Sequence, residues 1–135
     1  TEALHTYFAV SDIKEVAIGG FDGSRFLDTL DGKIQFQHGD ISFSAETDRV
    51  YYDSDDVSVI IDSGKQRKII NIREGSRASV VWNPWIAKSK RLPDFGDNEF
   101  PGMVCVETAN CKEVVVEIAP GEVHRMAAVI DTEKI

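Results

Sequence analysis

Apolar and polar residues alternate over short segments along almost the whole chain, and turn residues separate these segments. Alternation with a period of two is typical of a half-buried β-strand, and it is clear at residues 13–18, IKEVAI. Residues 57–62 and 68–73 flank a short Ser-Gly-Lys-Gln-Arg connection and predict a β-hairpin. The pattern predicts eight or nine short strands, including residues 4–10, 13–18, 41–45, 57–62, 68–73, 78–82, 103–107, 114–118 and 124–130.

The segments between these strands are predicted to be turns and loops, because no long helical pattern occurs. A near-helical pattern within residues 25–33 stops too early to form a helix, so irregular structure is expected there. Pro84 ends the strand at residues 78–82, since proline cannot donate to a central ladder. A long loop of the kind that often carries function follows at residues 88–101. These features predict an all-β, antiparallel β-sandwich.

The composition is that of an acidic chain able to bury a core. Of 135 residues, 42% are hydrophobic and 28% are charged, and the formal net charge is −8. Binding to nucleic acid needs a basic surface, so no nucleic-acid partner is expected; the one dense basic run, residues 88–91, is interpreted as a solvated loop. No apolar run reaches the roughly 18 residues of a membrane span, and the first residues lack the basic region of a signal peptide. We therefore expect a cytoplasmic protein with no membrane partner.

The cysteines and histidines do not form a metal-binding pattern in the sequence. Cys105 and Cys111 have a spacing that fits no common zinc motif, and the three histidines are scattered. Small secreted domains held by disulfides usually carry more cysteine. The sequence therefore predicts no metal, no cofactor and no disulfide.

Three residues are candidates for chemistry. Glu107 closes the apolar run at residues 103–107, His5 lies in the first predicted strand, and Asp48 lies at the boundary of a further strand beginning at residue 49. Each also has an ordinary structural explanation: an exposed strand end, a core or surface histidine, and a turn residue, respectively. The residues taken singly leave both interpretations open.

Five motifs, in the same order along the chain, closely resemble those of the glucose-6-phosphate 1-epimerase family. These enzymes are hexose-6-phosphate mutarotases, related to the aldose 1-epimerases and to plant apospory-associated protein C. The turn Ala-Pro-Gly-Glu at residues 119–122 is also similar to the one before that family's last strand. The motifs are HTYF at residues 5–8, ETDRVY at 46–51, VVWNPW at 80–85, DFGD at 94–97 and MVCVE at 103–107.

The resemblance implies a galactose-mutarotase-like β-sandwich with a sugar cleft on one broad sheet. It also implies interconversion of the α and β anomers of a hexose 6-phosphate. In that family the histidine matching His5 acts on the pyranose ring oxygen, and the glutamate matching Glu107 acts on the C1 hydroxyl. The aspartate matching Asp48 is expected to hydrogen-bond sugar hydroxyls.

The residue types suit this chemistry without reference to the family. Opening a hemiacetal ring removes a proton from the anomeric hydroxyl and supplies one to the ring oxygen, which a paired acid and base can assist. A histidine, with an ordinary pKa near about 6.5, can donate at neutral pH, and a glutamate, near about 4.3, is already ionised to accept. Rotation about the C1–C2 bond and closure with reversed roles give the other anomer.

Neighbouring residues of the motifs have expected supporting roles. Trp82 and Trp85 are expected mainly in the core, with a sugar-facing platform as the alternative. Arg49 is a candidate to orient Asp48 by a charge-assisted hydrogen bond. His38 and His124 match no catalytic motif and are expected to be structural.

The resemblance covers about the C-terminal half of a typical family member. The remainder would carry a His-Gly-Phe-Ala-Arg-like motif and the arginines that grip the 6-phosphate, and a dianionic substrate needs such basic groups in an acidic chain. We therefore expect residues 1–135 to be the C-terminal part of a single mutarotase-like domain. Its open strand edges would pair with the missing N-terminal half or with a second copy. The missing phosphate site also keeps a second hypothesis open, a non-catalytic carbohydrate-binding β-sandwich.

Overall fold

Two antiparallel sheets, of seven and four strands, form the computed structural model, which describes all 135 residues. The predicted all-β class is therefore confirmed. The elements are β1 (Glu2–Leu4), β2 (Tyr7–Ala9), β3 (Val16–Gly19), β4 (Arg25–Asp28), β5 (Lys33–Phe36), β6 (Thr47–Tyr52), β7 (Val57–Asp62), β8 (Arg67–Glu74), β9 (Ala78–Asn83), α1 (Trp85–Arg91), β10 (Met103–Asn110) and β11 (Ala127–Lys134).

Helical structure is confined to short pieces. Three single turns of 3-10 helix lie at Ile13–Glu15, Phe100–Gly102 and Lys112–Val114, and α1 has seven residues. None of these helices has the length and apolar character required to cross a membrane.

The first residues of the chain pair with a strand near its end. The larger sheet runs in the order β1-β10-β9-β6-β4-β5, and the smaller one in the order β11-β8-β7-β3. The two short strands β1 and β2 pair with opposite halves of β10: Leu4 lies opposite Thr108, and Tyr7 lies opposite Cys105. The residues between β1 and β2 are thereby placed beside the middle of β10.

The main core lies between the two sheets. Because successive side chains of a strand point to opposite faces, Val104 and Val106 of β10 point inward together with Val81 and Tyr51. They belong to the same cluster as Ile60 of the smaller sheet, and all five are at most 2% exposed. Burying each such side chain contributes roughly 1.5–3 kcal/mol.

The opposite face of the larger sheet, called here the outer face, carries a second and smaller apolar cluster. The chain after β10 covers part of this face through Val114, and the main core covers the other face, so that all eight residues of β10 are buried. The remainder of the outer face stays accessible beside this cluster. The cluster consists of Val50, Tyr52, Ala78, Ala109 and Val114.

Several strand predictions are confirmed, and one is divided. The hairpin of β7 and β8 and the strand β9 lie where the alternation placed them, whereas β6 begins at Thr47, two residues before the expected start, so Asp48 lies inside this strand and not at its boundary. The strand predicted at residues 4–10 is interrupted, because the chain turns at His5 and Thr6, where the amide of Thr6 donates to the carbonyl of Leu4 over 3.0 Å. The interruption takes His5 out of the strand ladder.

Other predictions were wrong. Residues 25–33 are not irregular, since β4 and the start of β5 lie there, and β4 pairs with β5 on one side and with β6 on the other. Residues 41–45 form only a single bridge, between Ile41 and Ile18, and residues 114–118 form no strand.

Two further boundaries differ from the prediction. The strand expected at residues 13–18 begins as a 3-10 turn at Ile13–Glu15, and the last strand, expected at residues 124–130, is β11. The basic run at residues 88–91 belongs to α1 instead of a loop. In each case hydrogen bonding decided between two conformations that the same apolar pattern allows.

Candidate active site

His5 and Glu107 meet on the outer face of the larger sheet. Nε2 of His5 lies 3.0 Å from Oε1 of Glu107, although most of the chain separates the two residues in sequence. The His5 side chain is 50% exposed and that of Glu107 only 7%. Glu107 lies inside β10, which continues to Asn110, so the expectation that it closes a strand was wrong. Its carboxylate is covered on the outer face, where the His5 side chain lies against it.

Burial makes the Glu107 carboxylate a stronger base than an ordinary glutamate. Loss of solvent around the carboxyl raises its pKa, and the negative charge of Asp48 raises it further, whereas His5 opposes the shift. The site therefore pairs a buried carboxylate with an accessible imidazole.

Asp48 lies on the same face but does not belong to the contacting pair. It is opposite Trp82 on β9, which in turn is opposite Cys105 on β10, and directly opposed residues share a face. With neighbouring strands about 4.8 Å apart, Asp48 is roughly 10 Å across the sheet from β10. The three predicted site residues thus share one surface, with Trp82 between Asp48 and the pair.

Arg49 does not orient Asp48, and that prediction was wrong. As the next residue in the strand, Arg49 points to the opposite face. Its Nε lies 4.0 Å from Oδ2 of Asp28, and its guanidinium lies over the ring of Phe26, 4.9 Å from the ring centre.

Aromatic side chains surround His5. Its ring stacks on Tyr7 with centres 5.0 Å apart, and it meets the Trp82 ring edge-on at 6.0 Å. Phe95 lies against the other side of Trp82 at 6.2 Å. Trp82 is therefore the site-facing tryptophan, whereas Trp85 packs against the main core, as expected for a structural residue.

Cys105 and Tyr7 are the site residues that the sequence reasoning missed. Sγ of Cys105 lies 3.7 Å from Nδ1 of His5, so the imidazole stands between the thiol and Glu107. Both cysteines of the chain are free, and burial raises the pKa of the Cys105 thiol, which keeps it protonated at neutral pH. For Cys105 the signal was in the alternation, because it is two positions from Glu107 in one strand and so lies on the same face.

A cavity of about 540 Å³ opens beside the Tyr7 ring. Its volume is in the range of small-molecule sites, which is roughly 300–1,000 Å³. The long segment predicted to carry function supplies most of its wall. The lining residues are Tyr7, Asp94, Phe95, Asn98, Glu99, Gly102 and Met103.

The other two histidines lie away from this group. Nε2 of His124 is 2.9 Å from Oε1 of Glu2, beside Asn110 at the end of β10. His38 is exposed in the chain between β5 and β6. Neither histidine contacts the cavity.

Comparison with known proteins gives the same family from sequence. A family model described as aldose 1-epimerase matches residues 1–130. Over 127 residues the chain is 43% identical to a protein of Cenchrus ciliaris provisionally named glucose-6-phosphate 1-epimerase. The matched region is 93% of this chain and 38% of that protein. A protein of Escherichia coli strain K12 with the same provisional name is 40% identical over 116 residues, covering 84% and 39%. The chain thus spans about two fifths of the length of these relatives.

A solved structure confirms the type of sandwich. The crystal structure of YeaD from Salmonella typhimurium, provisionally titled a mutarotase, matches with a TM-score of 0.86 at 35% identity. The match covers 98% of this chain and 45% of that one. The fold is therefore an antiparallel β-sandwich of the galactose-mutarotase type, and the chain belongs to the aldose 1-epimerase family.

Proposed function

We propose that this chain carries the acid–base pair of a hexose-6-phosphate 1-epimerase, an isomerase that interconverts the α and β anomers of a sugar phosphate. The observation that carries the proposal is the 3.0 Å contact between Nε2 of His5 and Oε1 of Glu107. Family membership and the provisional names of the two relatives support the reaction and the substrate class.

Glu107 acts first as the base and His5 as the acid. The carboxylate takes the proton of the C1 hydroxyl while Nε2–H of protonated His5 gives a proton to the ring oxygen, and the bond between C1 and that oxygen breaks. The product is the open-chain aldehyde. After rotation about C1–C2, the hydroxyl formed from the ring oxygen attacks C1, and His5 takes its proton back. Glu107 returns its proton to the aldehyde oxygen on C1, which becomes the anomeric hydroxyl. The raised pKa of Glu107 favours the first step.

Asp48 and the aromatic rings hold the sugar in this scheme. Asp48 accepts hydrogen bonds from sugar hydroxyls, since its carboxylate lies on the same face as the pair. Its charge also raises the pKa of Glu107. Trp82 and Tyr7 offer apolar ring surface to the faces of the pyranose. The accessible half of His5 lets the imidazole move aside when substrate enters between it and Glu107.

The phosphate grip is assigned to residues outside this chain. Residues 1–135 then form the C-terminal part of one mutarotase-like domain, and the remaining strands come from an N-terminal half or a second copy. The share of the relatives that the chain covers supports this division. So does β11, an edge strand on which Val129 and Ile130 are each 47% exposed. Cytoplasmic location stays a prediction.

Exchange NMR of glucose 6-phosphate tests the proposal. The full-length protein should accelerate interconversion of the two anomers, and the His5→Asn and Glu107→Gln variants should not, while all three bind the sugar. Binding without acceleration by the unmodified protein would overturn the proposal in favour of a carbohydrate-binding sandwich.

A further inference from the structure

We propose that His5, Cys105 and Glu107 form a capture site for Zn²⁺, and that an ion held there blocks the candidate active site. The site itself stands on the geometry of the three side chains, and only the blocking of turnover rests on the proposed function. A zinc ion here is an inhibitor of the pair and takes no part in the reaction.

The distance between the thiol and the imidazole already suits a zinc ion. Two ligands of a tetrahedral site, with bonds of about 2.0 Å to nitrogen and 2.3 Å to sulfur, lie roughly 3.6 Å apart. Sγ of Cys105 and Nδ1 of His5 are 3.7 Å apart. One ligand atom from each of the three residues lies within 4.8 Å of the other two, and no other cluster of three such residues occurs in the structure.

A modest rotation completes the site. Without an ion, the two nitrogens of His5 face different neighbours, Nδ1 the thiol and Nε2 the carboxylate. One ion uses one nitrogen, so either the Glu107 carboxylate or the imidazole must turn. The half-exposed His5 ring has room to do so.

The donor set selects the class of cation. Thiolate, imidazole and carboxylate are common zinc ligands, whereas Mg²⁺ and Ca²⁺ prefer oxygen ligands alone. Three protein ligands leave a fourth position, which faces the accessible side of His5 and can take water. The cavity is lined by Tyr7, whose ring stacks on His5, so it offers an ion a route to these ligands.

Binding requires the Cys105 thiol to release its proton to solvent. Burial raises the pKa of this thiol, so the ion must displace a firmly held proton. Affinity therefore increases with pH. An ion bound to the imidazole nitrogen and to the carboxylate leaves neither group free to exchange a proton with a sugar.

Cobalt titration of the full chain tests the site, because Co²⁺ bound to a thiolate absorbs in the near ultraviolet. With a non-thiol reductant present, we expect one Co²⁺ per chain, displaced by Zn²⁺. Cys105→Ser should weaken binding on the order of 100-fold or more, since even residues behind the ligands change affinity 10- to 100-fold. The matched control, Cys111→Ser, removes the other free thiol and should change affinity less than about twofold.

A second variant guards against misfolding of the buried cysteine mutant. His5→Asn changes a half-exposed side chain outside the core, and it should weaken cobalt binding at least about tenfold. Absence of the thiolate band, its persistence in Cys105→Ser, or its loss in Cys111→Ser would each overturn the proposal. Because the readout is absorption and not turnover, an inactive protein would still report the site.

Discussion

Two histidine–glutamate pairs lie along β10 with almost the same separation, and only one of them has the surroundings of an active site. His5 and Glu107 are 3.0 Å apart in the middle of the strand, and His124 and Glu2 are 2.9 Å apart at its end. Distance alone would rank them equally.

The two pairs differ in which partner is buried. At the first pair the glutamate is 7% exposed and the histidine 50%, whereas at the second the glutamate is 39% exposed and the histidine 23%. At the first pair, burial raises the pKa of Glu107 and makes it a stronger base. His5 stays accessible to a ligand, and aromatic rings and a cavity lie nearby. The second pair joins β1 to the segment before β11, next to Asn110 at the end of β10. The surroundings of a pair, and not its spacing, determine what it can do.

Matched glutamine substitutions should separate the pairs most strongly. Glu107→Gln removes the proposed base, and we expect kcat/KM for anomer exchange to fall about 1,000-fold, within the usual range for a general acid or base. Glu2→Gln makes the same chemical change at the second pair and should leave kcat/KM within about twofold. Exchange NMR on the full-length proteins measures both. Equal losses would show that the difference in burial has no catalytic meaning.

Asp48→Asn should have the next largest effect on kcat/KM. The charge of Asp48 acts on Glu107 of the first pair. Loss of a charged hydrogen-bond acceptor for sugar hydroxyls should lower kcat/KM about 10- to 100-fold. The variant also removes a charge that raises the pKa of Glu107, so the acidic limb of the pH–rate profile should move to lower pH. A lowered rate with an unmoved limb would contradict the electrostatic link.

The two pairs should also differ in how strongly they make the free energy of unfolding depend on pH. The pKa of Glu107 is raised in the folded state, so the folded protein binds this proton more firmly than the unfolded chain does. Its contribution to the free energy of unfolding is fully present below the unfolded value of about 4.3, and is lost as pH rises through the folded value. Glu107→Gln should therefore raise the thermal midpoint at neutral pH and remove this slope. A lower midpoint at neutral pH would contradict the burial argument.

The smallest effect is expected from His124→Asn. A partly exposed ion pair contributes about 0.2–1 kcal/mol, so the free energy of unfolding should fall by no more than that and activity should be unchanged. Urea unfolding measures the difference. A loss of several kcal/mol would show that the second pair anchors the first strand more firmly than its exposure implies.

Local patterns predicted the longer strands, in which alternation extends over six or more residues. The hairpin of β7 and β8 joins neighbouring alternating segments, so the sequence of these residues is enough to predict it. By contrast, β4 is only four residues long and is held by its pairing with β5 and β6. Residues 114–118 are strongly apolar, but only Val114 is buried, in the cluster on the outer face, whereas Val115 and Ile118 are about half exposed, so the apolar run did not mark a strand.

The motifs selected residues that share one surface, but they did not define how these residues are arranged. His5 and Glu107 do meet, but the sequence did not reveal that Glu107 is buried within a strand or that the imidazole lies between Cys105 and that carboxylate. Spacing rules for metal ligands compare residues close together along the chain, whereas His5, Cys105 and Glu107 become neighbours only through strand pairing. The side to which Arg49 points follows from the register of β6, which a motif does not define.

The pairing of β1 and β2 with β10 also has a consequence for folding. Bringing β1 and β2 to β10 closes a loop of about a hundred residues, which has an entropic cost that the contacts formed afterwards must offset. Contacts between residues so distant in sequence slow folding. The hairpin of β7 and β8 can form without that closure, whereas His5 cannot reach Glu107 until it is complete. In a refolding experiment the recovery of activity should therefore lag behind the recovery of strand content, and the activity itself reports the last step in assembling the sheet.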